Sequence, residues 1–246
     1  MEEDSLFAAP ADEPLAARLR PRTLDEFVGQ EQLLGPGKIL RNLIEEDRIS
    51  SMIFWGPPGV GKTTLAQIIA HTTRANFINF SAVTSGIKEI RTVMQRADEN
   101  RRFGARTIVF VDEIHRFNRA QQDAFLPFVE KGAIILIGAT TENPSFEVIR
   151  PLLSRCQVYV LKSLEKNDLL ELLNHAINDD TVLKEREVQL KETDALLRYS
   201  GGDARKLLNI LDLITAATPE GPIVIDNGTV TERLQQNPLA YDKDGE

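Results

Sequence analysis

The string Gly56-Pro57-Pro58-Gly59-Val60-Gly61-Lys62-Thr63 fits the pattern G-x-x-x-x-G-K-[ST]. Its glycines let the backbone turn N–H groups inward around phosphate oxygens, and a helix opening at its end adds a positive dipole. Lys62 would reach the β- and γ-phosphates, and the Thr63 hydroxyl would ligate Mg²⁺, with Thr64 next in the binding string. Downstream, the apolar run Ile108-Val109-Phe110-Val111 ends in Asp112-Glu113. A strand ending this way delivers one carboxylate, Asp112, to a bound Mg²⁺ and another, Glu113, to polarise the attacking water. Acidic turns after strands are common by themselves; the phosphate loop upstream makes this one a candidate for catalysis. No N-K-x-D string for reading guanine is present, and a small-molecule kinase does not need the second acid. Together the two motifs favour hydrolysis of ATP.

Such groups need a frame. Five short runs, Met52–Trp55, Phe77–Phe80, Ile108–Val111, Ile134–Ile137 and Val158–Val160, are β-branched or aromatic and mostly without alternation. That pattern predicts strands buried on both faces of a parallel sheet. Between them Ile87, Ile90, Val93 or Met94, and Ala97 recur at helical spacing. Strand, helix and strand in succession imply right-handed crossovers in an α/β layer architecture. Beyond Leu161 the stripes turn helical: Leu169 to Ile177, Ala195 to Leu197, and Leu207 to Ile214, with Pro222–Ile225 the one short strand candidate. The expected organisation is a mobile tail over 1–20, an α/β domain over 21–161 and a small helical lid over 162–235. Residues 236–246 would then begin a linker. Leu126-Pro127, inside an apolar helical stretch, should kink or end that helix.

The 246 residues carry 29 basic and 37 acidic side chains, a net charge of −8. Any nucleic-acid contact must therefore come from a local patch. A single cysteine, Cys156, rules out an internal disulfide and a cysteine-rich zinc site, and three scattered histidines offer no metal-ligand spacing. Cys156 reads as a small buried residue, with no His or Asn constellation to make it a nucleophile. The longest apolar run, Ala133–Ala139, is far short of a membrane span, and Met1-Glu2-Glu3-Asp4 has the wrong sign for a leader. A reducing, soluble, intracellular compartment is the expectation.

The two motifs, with Asp112-Glu113-Ile114-His115-Arg116-Phe117-Asn118, Gln121–Pro127 and Gly138-Ala139-Thr140-Thr141-Glu142-Asn143-Pro144-Ser145-Phe146, resemble the AAA+ ATPases of the clamp-loader and RuvB-like branch. Within it the match is to the replication-associated recombination protein A (RarA or MgsA) family, which includes the eukaryotic Werner-helicase-interacting ATPase. The likeness runs from about Leu15 to Leu213. It implies an α/β P-loop domain with a five-stranded parallel sheet followed by an all-helical lid, with ATP and Mg²⁺ as ligands. Thr140 resembles sensor 1, and Arg155 in Ser154-Arg155-Cys156 is similar to the arginine that reaches a neighbouring subunit's ATP. Arg205, in Gly202-Asp203-Ala204-Arg205, resembles sensor 2, and Val28-Gly29-Gln30 resembles the segment lining the adenine pocket. On residue type alone, Thr140 as a turn cap, Arg155 as a surface ion pair and Arg205 as a solvated helix residue are the simpler readings; the resemblance reverses that preference.

The same resemblance implies work on DNA ends, gaps or junctions at stalled replication forks, as a homo-oligomer, near single-strand-binding protein and replisome components. In clamp loaders the stretch matching Ser81–Lys88 faces DNA, which makes Thr84, Ser85, Lys88 and Arg91 candidate contacts, with Arg116 and Arg119 a second pair. An ordinary capped helix with a solvated charged face fits those residues equally well. Two other classes compete. An ATP-binding scaffold with little turnover would usually lack one of Lys62, Thr63, Asp112, Glu113, Thr140, Arg155 or Arg205. A protein-unfolding motor would want an aromatic pore loop, and Ser81–Gly86 contains no aromatic.

Overall fold

The computed structural model describes residues 13–81, 86–218 and 221–236. The chain divides between Ser163 and Leu164 into two units, Pro21–Ser163 and a second that joins Leu164 onward with the segment ending at Arg20.

In the first unit the five apolar runs are the five strands of one sheet. They are β1 (Met52–Trp55), β2 (Asn76–Ser81), β3 (Thr107–Asp112), β4 (Ile135–Thr140) and β5 (Gln157–Val160), all parallel, in the order β2-β3-β4-β1-β5. Successive side chains of a strand point to opposite faces, so the core is double. Met52, Phe54, Ile108, Phe110 and Ile137 pack with the helix Lys62–Thr72, while Ile53, Val109, Val111 and Leu136 pack with Ile90, Met94 and Phe125. The last three belong to the helices Ile87–Arg101 and Arg119–Glu130. Burial on both faces holds for β1, β3 and β4; β2 and β5 lie at the sheet edges and are partly exposed.

One expectation changes. The helix Arg119–Glu130 continues through Pro127, which lies on its exposed side. The ring removes one backbone donor near the end of the helix, where water can satisfy the freed carbonyl. Its start is secured by a reciprocal cap between Asn118 and Gln121.

The second unit holds the helices Lys166–Asp179, Asp194–Ser200, Ala204–Ala216 and Asn227–Gln236. Its leucine stripes form one core with Leu173, Leu196, Leu207, Leu211 and Ile214 buried. To these helices it adds a two-stranded parallel sheet, β6 (Val188–Leu190) with β7 (Ile223–Ile225), the latter in the short strand candidate.

Residues 13–20, expected within a mobile tail, are instead part of this unit. They contain the helix Leu15–Arg18, with Leu15 fully buried in the leucine core. Arg18 grips Asp180 through Nε at 2.8 Å and Nη2 at 3.1 Å, and Asp180 also accepts from the Val182 and Leu183 N–H groups. Burial alone would raise the Asp180 carboxyl, but the guanidinium and these N–H donors outweigh it and hold it below the ordinary carboxylate range. A lowered folded-state value contributes stability that is present above the ordinary carboxylate range and is lost as pH falls through that lowered value. Arg18→Ala should therefore cost about 3–5 kcal/mol, as removing one partner of a buried pair does. It should also flatten the acid limb of the unfolding curve. Thermal unfolding followed from neutral to acid pH tests both; an unchanged midpoint would detach the segment from the unit.

Among the described residues no helix is long and apolar enough to cross a membrane.

Candidate active site

Parallel strands place their C-terminal ends on one edge, and in open α/β sheets ligands bind there. β4 lies between β3 and β1, with Val111 beside Gly138 and Thr140 beside Trp55. The loop after β1, the acids ending β3 and Thr140 ending β4 are thus neighbours. The Gly56 N–H donates to the Thr140 carbonyl at 3.1 Å, stitching the first loop residue to β4.

The loop Gly56–Thr63 wraps into the helix Lys62–Thr72, whose first residues follow a left-handed Gly61 (φ 92°) with no side-chain cap. Uncapped N–H groups at a helix start suit an anion. The Lys62 ammonium is buried and donates to the Gly56 and Pro57 carbonyls, both at 2.7 Å, so it is held within the loop it serves. Thr63 and Thr64 are half-buried in the first turn, and Pro57 and Pro58 are exposed. Gly59 is also left-handed and Val60 is buried in the core.

Phe27 is a participant that motif reading missed. A Cβ on Gly61 would lie 2.5 Å from Phe27 Cζ and 2.8 Å from Cε2, so the ring rests against the loop. This brings the start of the Phe27-Val28-Gly29 segment to the loop. Gln30 is different. It is buried, left-handed (φ 62°), and its amide is taken up by the backbone of Lys162, donating to the carbonyl at 2.7 Å and accepting from N–H at 2.9 Å. Its side chain ties the segment down instead of offering that amide to a ligand.

Asp112 Oδ1 accepts from the Glu113 N–H at 3.1 Å. Glu113 sits in the left-handed region (φ 49°, ψ 52°), uncommon for a residue with a Cβ and costing about 1–3 kcal/mol. That turn folds the short 3-10 stretch Ile114–Arg116 back beneath the strand ends. His115 then lies 3.2 Å through Nε2 from Glu113 Oε2 and 3.0 Å through Nδ1 from Thr140 Oγ1. Thr140 is fully buried, and its Oγ1 also accepts from the Glu142 N–H at 3.0 Å. Three residues from two strand ends thus lie in one chain of contacts, with a hydrogen bond between His115 and Thr140 and an ion-pair-distance approach between His115 and Glu113. Spacing could not reveal it, since Thr140 lies far along the chain from the acids.

Thr63 and Asp112 offer hard oxygen donors of the kind Mg²⁺ prefers. Among the described residues no group of three or more His, Cys, Asp or Glu could hold a metal. This donor set fits an ion that arrives with phosphates and keeps several waters, and does not fit a resident ion in an all-protein cage.

The remaining candidates belong to other elements or fall outside the described residues. Arg155 is exposed in the turn before β5, with Nη2 2.6 Å from Glu130 Oε1 and Nη1 donating to the Pro151 carbonyl. Arg205 is an exposed residue at the start of the helix Ala204–Ala216 in the second unit, where Asp203 caps the helix. Lys88, Arg91, Arg116 and Arg119 are all exposed. Thr84 and Ser85 fall outside the described residues. Cys156 is half-buried against the core before β5, and burial pushes its thiol up to about 12, which keeps it protonated and unreactive at neutral pH.

A family model described as the ATPase family associated with various cellular activities (AAA) matches residues 52–164, and one described as the AAA C-terminal domain matches residues 183–246. Replication-associated recombination protein A of Haemophilus influenzae is 50% identical over 239 residues, covering 95% of this chain and 53% of that protein. Its namesake in Escherichia coli K12 is 46% identical over 246 residues, covering 98% and 55%. Among solved structures, the Thermotoga maritima RuvB Holliday junction branch migration motor superposes with a TM-score of 0.69 at 25% identity, over 92% of this chain and 76% of that one. The chain spans about half the length of the curated relatives it matches.

Proposed function

We propose that this chain, which is similar to the AAA ATPases and to the replication-associated recombination protein A family, hydrolyses ATP to act on DNA ends, gaps or junctions at stalled replication forks. The observation that carries the chemistry is the meeting of the phosphate loop, Asp112, Glu113 and Thr140 at one edge of adjacent parallel strands. In this reading Lys62 and the loop N–H groups bind the phosphates, and Val28 and Gly29 border the base. Thr63 and Asp112 would hold Mg²⁺, which when bound would polarise the phosphate oxygens. Glu113 takes the proton of the attacking water, and Thr140 orients the γ-phosphate.

Arg155 enters the site of a neighbouring copy in a homo-oligomer. Its exposure supports this, because the Glu130 pair it must leave is a surface one, worth about 0–1 kcal/mol. The resemblance also makes Arg205 the arginine that contacts the γ-phosphate. Exposed Lys88, Arg91, Arg116 and Arg119 supply local positive charge for DNA on a chain of net charge −8. The names of the relatives and the RuvB motor support DNA as the partner. Single-strand-binding protein and replisome components in a bacterial cytosol, close to the nucleoid, are the setting that follows.

The test is phosphate release from ATP by the chain alone and with single-stranded, blunt duplex, gapped and forked DNA. The rate should rise with a DNA that carries an end, gap or fork. It should also rise with protein concentration, a dependence that Arg155→Ala removes. ATP bound without turnover under every condition would replace this reading with that of a clamp-loader-like scaffold.

A further inference from the structure

His115 has a geometry that its neighbours' roles do not account for. It is largely buried, with a side chain 16% exposed, and each ring nitrogen has its own partner. A carboxylate oxygen only accepts, so Nε2, facing Glu113 Oε2, must carry the ring proton. In the neutral imidazole Nδ1 is then a bare acceptor, and the group at 3.0 Å that can donate to it is the Thr140 hydroxyl. That hydroxyl has one proton and a second acceptor within reach, the Glu142 carbonyl at 3.2 Å. Whenever Thr140 donates elsewhere, His115 loses one of its two tethers.

The surroundings make this an ordered choice. β4 carries glycine at 138, where a Cβ would lie 2.6 Å from Ile53 Cδ1 and 3.0 Å from Ile114 Cδ1. The turn bearing His115 is thereby seated directly on β4, two residues before Thr140. Glu113 precedes this turn with a left-handed backbone, and its Oε2 lies 3.2 Å from Nε2, close enough for the ring to bear on the orientation of the carboxylate.

We propose that His115 is a positioning residue that ties the orientation of the Glu113 carboxylate to the hydrogen-bond state of the Thr140 hydroxyl. The proposal rests on the reading of Glu113 as the base that accepts the water proton. Its consequence is that donation by Thr140 to a phosphate oxygen is communicated to Glu113 through one imidazole.

The chain's three histidines, His71, His115 and His175, allow the test to be read on the ring itself. In chain labelled with ¹⁵N-histidine, the resonances lost in His115→Gln identify residue 115. Thr140→Val should shift its Nδ1, whereas Thr140→Ser, which keeps a hydroxyl, should leave it near its wild-type position. Glu113→Gln should shift its Nε2. A ring unmoved by both Thr140→Val and Glu113→Gln overturns the linkage.

Turnover supplies the second readout. His115→Ala should lower kcat about tenfold to a hundredfold, the scale of a displaced reacting group. ATP affinity, set by the phosphate loop, should stay within about twofold. His115→Gln, whose amide reaches the Glu113 side, should recover more of the rate than His115→Asn. Unchanged kcat in His115→Ala, or equal loss in all three variants, overturns the positioning role. A wild-type chain that binds but does not hydrolyse ATP sinks the proposed function, and the ring resonances alone then decide the linkage.

Discussion

Glu113→Gln should bind ATP as tightly as the parent and hydrolyse it about 10²–10⁴-fold more slowly, the range associated with a positioned general base. Glutamine has the shape of glutamate and still presents an oxygen to His115 Nε2, so the turn at the end of β3 should be kept. It cannot accept a proton from water. The groups that would hold the phosphates, Lys62 and the loop N–H groups, belong to the loop after β1 and are not altered. Phosphate release and equilibrium ATP binding, measured on the same preparation, separate the two effects. A variant that turns over at the parental rate would remove Glu113 from its role. A variant that fails to bind would show that the acids support the loop itself.

Gly61→Ala should weaken ATP binding about tenfold to a hundredfold, for two reasons that add. Gly61 has φ 92°, where a side chain is strained, and its new Cβ would fall 2.5 Å from the Phe27 ring. Strained backbone of this kind costs about 1–3 kcal/mol, and each 1.4 kcal/mol is about tenfold in affinity. Relief by opening the loop would misdirect its N–H groups. The test is the ATP dissociation constant of Gly61→Ala alone and combined with Phe27→Ala. Removing the ring should restore part of the affinity and not all, because the backbone strain remains. Parental affinity in Gly61→Ala would mean that the loop does not hold phosphate in this conformation.

What could be read from residues in order was read correctly where the cause is local. Met52–Trp55, the loop Gly56–Thr63 and the start of the next helix form one contiguous strand–loop–helix, and the conformation of its glycines is a property of their own backbone. The apolar run into Asp112-Glu113 is legible for the same reason, as are the leucine stripes of the second unit. The five apolar runs likewise foretold the strands of a parallel sheet; the resemblance added the role of Thr140, and local periodicity does not order the strands.

The tertiary structure decided whatever depends on pairs distant in sequence. Strand order makes Thr140 a neighbour of both motifs, and after the left-handed turn at Glu113 His115 lies between the Glu113 carboxylate and the Thr140 hydroxyl. Phe27 meets Gly61, and Gln30 is consumed by Lys162, because an early segment packs beside the loop and the end of β5. Leu15 and Arg18 look like ordinary residues near a terminus until the leucine core and Asp180 give them partners. Composition and periodicity report a residue's preference for burial or for helix; they carry no record of which remote group will meet it. That is settled only when the alternating faces of the sheet and the stripes of the helices pack.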